Sequence, residues 1–285
     1  MTDPLTGLLK ISLVIFMAGN LLGMGLQLRW GAALVGLRNA RFVSYSLLWC
    51  FVLGPAIAYG LTKATPLEAP YAVGLVLIGM TPCAPFLPMM VDRAHGDMGC
   101  TTSFMLLASV GTLAFMPFAV PRLVDGLSVS AWIIAKPLLS VVLLPLVIGM
   151  VILRRAPAFA DRAQPIVKRI TGVDTIVMLG LCLVIFGEGI IGSAGSDATL
   201  SQVIFYGVVT AGSYTLAFGL PPTQKSVLGL GVCTRNLGAA FAPLFAVAGV
   251  DERAIVMVAL GVPQQTIAAF IAARVFGARA EGPRR

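Results

Sequence analysis

Long apolar runs, each near the ~20 residues that a helix needs to cross a hydrocarbon core, alternate with short polar breaks along the chain. The candidate spans are about 8–28, 42–62, 70–91, 99–120, 131–153, 170–190, 200–220, 226–247 and 254–276. The pattern predicts an all-α integral membrane protein of about nine transmembrane helices, forming a single transmembrane domain over 1–285. The longest hydrophilic connection, Arg154 to Arg169, is too short to fold alone, so no separate soluble domain is expected. The first run carries Asp3 and a single Lys10, and no small-residue cleavage site follows it. It reads as a retained span rather than a signal peptide.

Two spans are interrupted. In the third, Thr81-Pro82-Cys83-Ala84-Pro85-Phe86-Leu87-Pro88 places three prolines within seven residues, removing backbone donors and crowding the preceding turn. In the eighth, Gly229 to Gly238 combines three glycines with Arg235 and Asn236 at mid-span. Unwound backbone at membrane depth is tolerated where it is buried in protein or lines a wet cavity, and paired breaks in corresponding spans mark a transporter's central site. The two breaks are therefore expected side by side near mid-membrane.

Composition removes several alternatives. The chain is 58% hydrophobic and 11% charged, with mean hydropathy +0.94, whereas soluble domains are nearer one quarter charged. The net charge of +8 is spread over short connections rather than a stripe with exposed aromatics, which argues against nucleic acid. Placing alternate connections and the C-terminus on one side collects fourteen Lys and Arg, against four on the other. The positive-inside rule then puts the C-terminus in the cytoplasm and the N-terminus outside. Cys50, Cys83, Cys100, Cys182 and Cys233 form no CxxC pair and His95 stands alone, so neither a metal centre nor a disulfide framework is expected. No paired catalytic carboxylates or Ser/His/Asp set suggests an enzyme.

Gly23-Met24-Gly25-Leu26-Gln27-Leu28, Pro55, the 79–88 break, Ala94-His95-Gly96-Asp97 and Arg235-Asn236 occur in an order that resembles the bile acid:sodium symporter family, over about residues 15 to 275. The resemblance implies inverted repeats with two broken crossing helices. It also implies a panel (about 8–28, 131–153 and 170–190), a core (about 42–120 and 200–276) and a bacterial inner membrane. Members that use sodium hold it with oxygen ligands. Here Gly231 stands where a glutamate is expected, Arg235 where a glutamine is, Leu87-Pro88 for a serine-asparagine pair and Cys50 for another glutamine. Thr101 is the hydroxyl that remains. The resemblance thus implies a sodium site largely dismantled and no other cofactor.

The leading reading is an alternating-access secondary transporter of a small organic anion, with the lipid bilayer as its surroundings. Arg235 is read as a fixed cation where sodium would bind or as a clamp on an anionic group, against a structural salt bridge with Asp174 or Glu188. Asn236 and Thr234 flank it, Pro82 and Gly231 open the two breaks, and Gln264 and Gln265 are expected to line the cavity. Cys83 keeps a metalloid exporter of the same fold in play, and a channel is the other alternative. No signature fixes an oligomeric state.

Overall fold

The computed structural model describes residues 4–124, 130–193, 197–247 and 249–280. In chain order the helices are α1 (Pro4–Gly25), α2 (Trp30–Leu37), α3 (Ala40–Leu48), α4 (Gly54–Ala64), α5 (Ala69–Gly79), α6 (Leu87–Arg93) and α7 (Met98–Leu123). There follow α8 (Ala131–Pro137), α9 (Leu144–Arg155), α10 (Pro157–Ser193), α11 (Asp197–Thr215), α12 (Pro222–Cys233), α13 (Leu237–Ala246) and α14 (Glu252–Ala280). Five continuous stretches among the described residues are long and apolar enough to span a bilayer: Gly7–Gly25, Ala40–Ala64, Met98–Leu123, Ala131–Arg155 and Glu252–Arg279.

Two of these rods contain a π turn, and proline explains both. A helical proline lacks an N–H and its ring crowds the carbonyl four residues back. Trp49–Leu53 widens just before Pro55, so that the Gly54 N–H reaches back five residues to Trp49. Leu138–Leu143 does the same before Pro145, with Leu144 donating to Leu139. The helix continues with the clash relieved.

Elsewhere the chain departs from the sequence expectation. The hydrophilic 154–169 stretch is not a loop, because α10 starts at Pro157 and runs for 37 residues. At 1.5 Å per residue that is about 55 Å, well beyond a ~30 Å hydrocarbon core, so its polar first turns stand outside the apolar layer. The short apolar α2 was not anticipated as a separate element. It packs on α7 through Gly36, where an added Cβ would fall 2.2 Å from Ser103 Oγ, while that hydroxyl donates to the Ala33 carbonyl at 2.6 Å.

Helix α1 packs on α9, α10 and α13. At the α1–α9 crossing a Cβ on Gly25 would lie 2.2 Å from the Leu146 carbonyl oxygen, so backbone meets backbone, as small residues permit between membrane helices. Large apolar side chains such as Ile11, Phe118, Trp132, Ile176, Val184 and Ile267 are exposed. Arg235, by contrast, is the largest fully buried side chain among the described residues. A polar centre inside an apolar exterior is the inverse of a water-soluble fold.

Candidate functional site

The third and eighth spans both break where their prolines and glycines lie, and the two gaps meet. Between α5 and α6, and between α12 and α13, short extended segments pair antiparallel, with Pro82 opposite Arg235. The flanking residues make the bonds: Cys83 N–H donates to the Thr234 carbonyl at 2.7 Å, and Asn236 N–H donates to the Thr81 carbonyl at 2.8 Å. Pro82 therefore sits at the one position of the pair that needs no N–H.

Several of the other polar groups at the crossing are also paired. Thr234 Oγ1 donates to the Leu230 carbonyl at 2.9 Å and accepts from Ala84 N–H at 3.4 Å. Asn236 caps α13, its Oδ1 accepting from Ala239 N–H at 3.2 Å. The Arg235 N–H, which faces away from Pro82, donates to Gln265 Oε1 at 2.5 Å. Cys83 adopts φ +73°, a left-handed conformation that costs a non-glycine residue about 1–3 kcal/mol. Its N–H reaches both Thr234 and, at 3.2 Å, the Gly231 carbonyl.

The Arg235 guanidinium leaves the crossing toward α5 and α11. Nη1 donates to the Gly79 carbonyl, in the last residue of α5, at 3.2 Å, and the guanidinium carbon lies 4.9 Å over the Phe205 ring. The carbonyl end of a helix carries the negative end of its dipole, so α5 offers partial compensation. Nε and Nη2 have no protein partner. Among the described residues no carboxylate lies within ion-pair distance of the guanidinium. Asp174 instead accepts from Ser12 Oγ at 2.8 Å, and the Glu188 side chain is outside the described residues.

Gly231 leaves no room for a ligand side chain. A Cβ there would fall 2.3 Å from the Phe104 ring, which fills the space.

A cavity of about 140 Å³ opens beside the crossing, bounded by α1, α10, α13, α14 and the 84–86 segment. Its polar lining is Asn20, Thr175, Arg235, Asn236, Gln265 and Thr266. Gln264 is directed elsewhere, into an apolar groove of about 390 Å³ between α11 and α14, because neighbouring residues on a helix point ~100° apart. Thr101 is buried on α7 and donates to the Asp97 carbonyl at 2.8 Å, away from the cavity lining. Among the described residues no three His, Cys, Asp or Glu side chains gather to hold a metal ion, so Cys83 gains no companion ligands.

A second cavity of about 90 Å³ shares Asn20, Pro85 and Phe86 with the first and adds Gln27, Gln164, Lys168 and Thr171. The sequence reading missed this set. A signal was available: Gln164, Lys168, Thr171 and Thr175 recur at helical spacing along one face of α10.

The profile of the Sodium Bile acid symporter family matches residues 14–193. A Bacillus subtilis (strain 168) protein named "Uncharacterized sodium-dependent transporter YocS" is 27% identical over 259 residues, covering 82% of this chain and 76% of that one. A rice (Oryza sativa subsp. japonica) protein named "Probable sodium/metabolite cotransporter BASS2, chloroplastic" is 24% identical over 143 residues, 50% of this chain and 34% of that one. The chain thus spans about a third of the rice relative.

Proposed function

The chain belongs to the sodium bile acid symporter family and is an integral membrane transporter rather than an enzyme; from that premise we propose that it moves a small organic anion by alternating access, with the Arg235 guanidinium as a permanent cation in place of sodium. The observation that carries this reading is the fully buried guanidinium bound to the Gly79 carbonyl with no carboxylate of the described residues beside it. Carbonyls at the ends of broken helices are the groups that coordinate sodium in transporters of this architecture. A cation tethered to α12–α13 uses such a carbonyl without ever dissociating.

In this proposal the five continuous spans, the two broken ones, α10 and α11 make up nine transmembrane segments, arranged as inverted repeats. The panel contains α1, the α8–α9 rod and the membrane part of α10, while the remaining helices form the core. The C-terminus is cytoplasmic, in a bacterial inner membrane. The cavity beside the crossing would take the substrate. In support of an anion, the 140 Å³ and 90 Å³ cavities are lined, among the described residues, by no carboxylate, by one ammonium and by the first turn of α13, whose positive dipole end faces the space.

The test is uptake by proteoliposomes of a panel of radiolabelled carboxylates and sulfonates, compared in sodium and choline media. Equal rates are expected. Strict dependence on sodium would overturn the fixed-cation reading.

A further inference from the structure

We propose that Lys168 is the residue that selects for negative charge along the passage joining the crossing cavity to the cytoplasmic face. This deepens the reading of the crossing cavity as an anion site and rests on it.

The 140 Å³ cavity abuts the 90 Å³ cavity, the two sharing Asn20, Pro85 and Phe86 as lining. The second shares Gln27 and Gln164 with a third of about 220 Å³, at the N-terminal end of α10, which Arg29 and Asp161 line. One wall of this seam is α1 with α10, and the other is the 85–89 segment. A solute that leaves the crossing along this row of cavities passes Lys168, which lines the middle one.

Arg235 lines the crossing cavity but neither of the two cavities beyond it. Its guanidinium is committed to Gly79 and stacked on Phe205 of α11, whereas the seam is bounded by α1 and α10. At the mouth, Arg29 and Asp161 offset each other in sign. Lys168 is the charge left uncancelled between mouth and crossing: among the described residues no carboxylate lines that part of the seam, and none pairs with Lys168. An ammonium on a long flexible stem suits this place, because it can accompany an anion and release it, which a rigid bidentate fork does less readily. The field of a single charge in a cleft with low-dielectric walls is concentrated along the cleft, raising the local concentration of the opposite sign.

The experiment needs no knowledge of the substrate. The full chain with Asn20→Cys is reconstituted and labelled from one face at a time with sulfonatoethyl methanethiosulfonate, an anion, and trimethylammonioethyl methanethiosulfonate, a cation of similar size. All five native cysteines are buried, so the parent protein supplies the background. From the face bearing the C-terminus the anion-to-cation rate ratio is expected to exceed that of a free thiol in solution. K168Q should lower the anion-to-cation rate ratio roughly tenfold, while K168R keeps it. Gln27→Cys, further out along the same seam, repeats the measurement should Asn20→Cys fold poorly. A ratio unchanged by K168Q, or reaction confined to the opposite face, overturns the proposal. Labelling requires neither transport nor sodium, so sodium-dependent uptake alongside a Lys168-dependent ratio would defeat the fixed-cation reading and leave this one standing.

Discussion

Replacing Arg235 by glutamine separates a fixed cation from half of an ion pair, and the structure sets the size of the difference. The substitution removes one hydrogen bond from a charged donor to Gly79, a contribution of about 1.5–3 kcal/mol, and a desolvated cation–π contact with Phe205 of about 2 kcal/mol. It also removes the cost of keeping a guanidinium in a fully buried site, which is several kcal/mol per ion. These terms oppose each other, so Arg235→Gln should change stability by no more than about 2 kcal/mol, the residue of those opposing terms. Breaking a buried ion pair would instead cost roughly 3–5 kcal/mol, because a carboxylate would be stranded. Thermal unfolding in detergent reads the stability, and uptake by proteoliposomes reads the function. Near-native stability with uptake reduced at least roughly tenfold, more than 1.4 kcal/mol in the barrier, is expected. A stability loss in the ion-pair range, or full uptake by the normally folded variant, would refute the reasoning. Because Phe104 occupies the space beside Gly231, Arg235→Gln alone should create no response to sodium.

Gln265→Leu strands the Arg235 N–H at the crossing and should destabilise the protein by about 1–3 kcal/mol, measured by the same unfolding assay. Gly231→Ala drives a methyl group into the Phe104 ring and should cost about 1–3 kcal/mol, whereas the double variant with Phe104→Leu should recover part of the loss. At Cys83, φ +73° favours glycine over a β-branched residue, so Cys83→Val should unfold at a lower temperature than Cys83→Gly. In the connection before α14, hydrogen bonds from Arg253 hold the Asp251 carboxyl below the usual carboxylate range. A depressed pKa stabilises the fold above the unfolded-state value and loses that contribution as pH falls through the folded one. A small stability difference between the parent protein and Asp251→Asn is therefore expected at pH 7 and should vanish in strongly acidic buffer.

Much of the central site was legible because its residues are chemically out of place in a membrane span. Three prolines cannot be threaded through an apolar helix, and an arginine at that depth needs a reason, so Pro82, Gly231 and Arg235 could be marked from spacing alone. What the sequence could not give was direction. Gln264 and Gln265 are adjacent and chemically identical, and only the packing of α14 decides that one meets the Arg235 N–H and the other faces the α11 groove. Arg235 had three readings, fixed cation, clamp or half of a salt bridge with Asp174 or Glu188, that differ by where a flexible side chain points. The seam was missed for another reason: its first polar residues lie in a stretch read as a loop, where Gln164 and Lys168 carry no periodic meaning. Once α10 is extended back to Pro157, the same residues form a stripe continuous with Thr171 and Thr175.

A cation that cannot leave also changes what can drive the cycle. A symporter draws on a sodium gradient because the ion binds on one side and dissociates on the other. In the proposed cycle Arg235 crosses and returns with the protein, so its charge would move no net current over a full cycle and transduce no ion gradient. In the proposed mechanism the charge of the cargo is then the only one transferred, and the membrane potential acts on it directly. Moving one elementary charge through 100 mV is worth about 2.3 kcal/mol, and 1.4 kcal/mol is a factor of ten. A monoanion released by such a carrier would stand at equilibrium about fortyfold more concentrated on the positive side of the membrane. With the inside negative, that is outward. The physical chemistry of a tethered guanidinium therefore predicts an exporter in energised cells, and imposing an inside-positive potential on proteoliposomes should reverse the net flux to inward. A flux indifferent to the sign of the potential would mean that a second ion, such as a proton, travels with the anion.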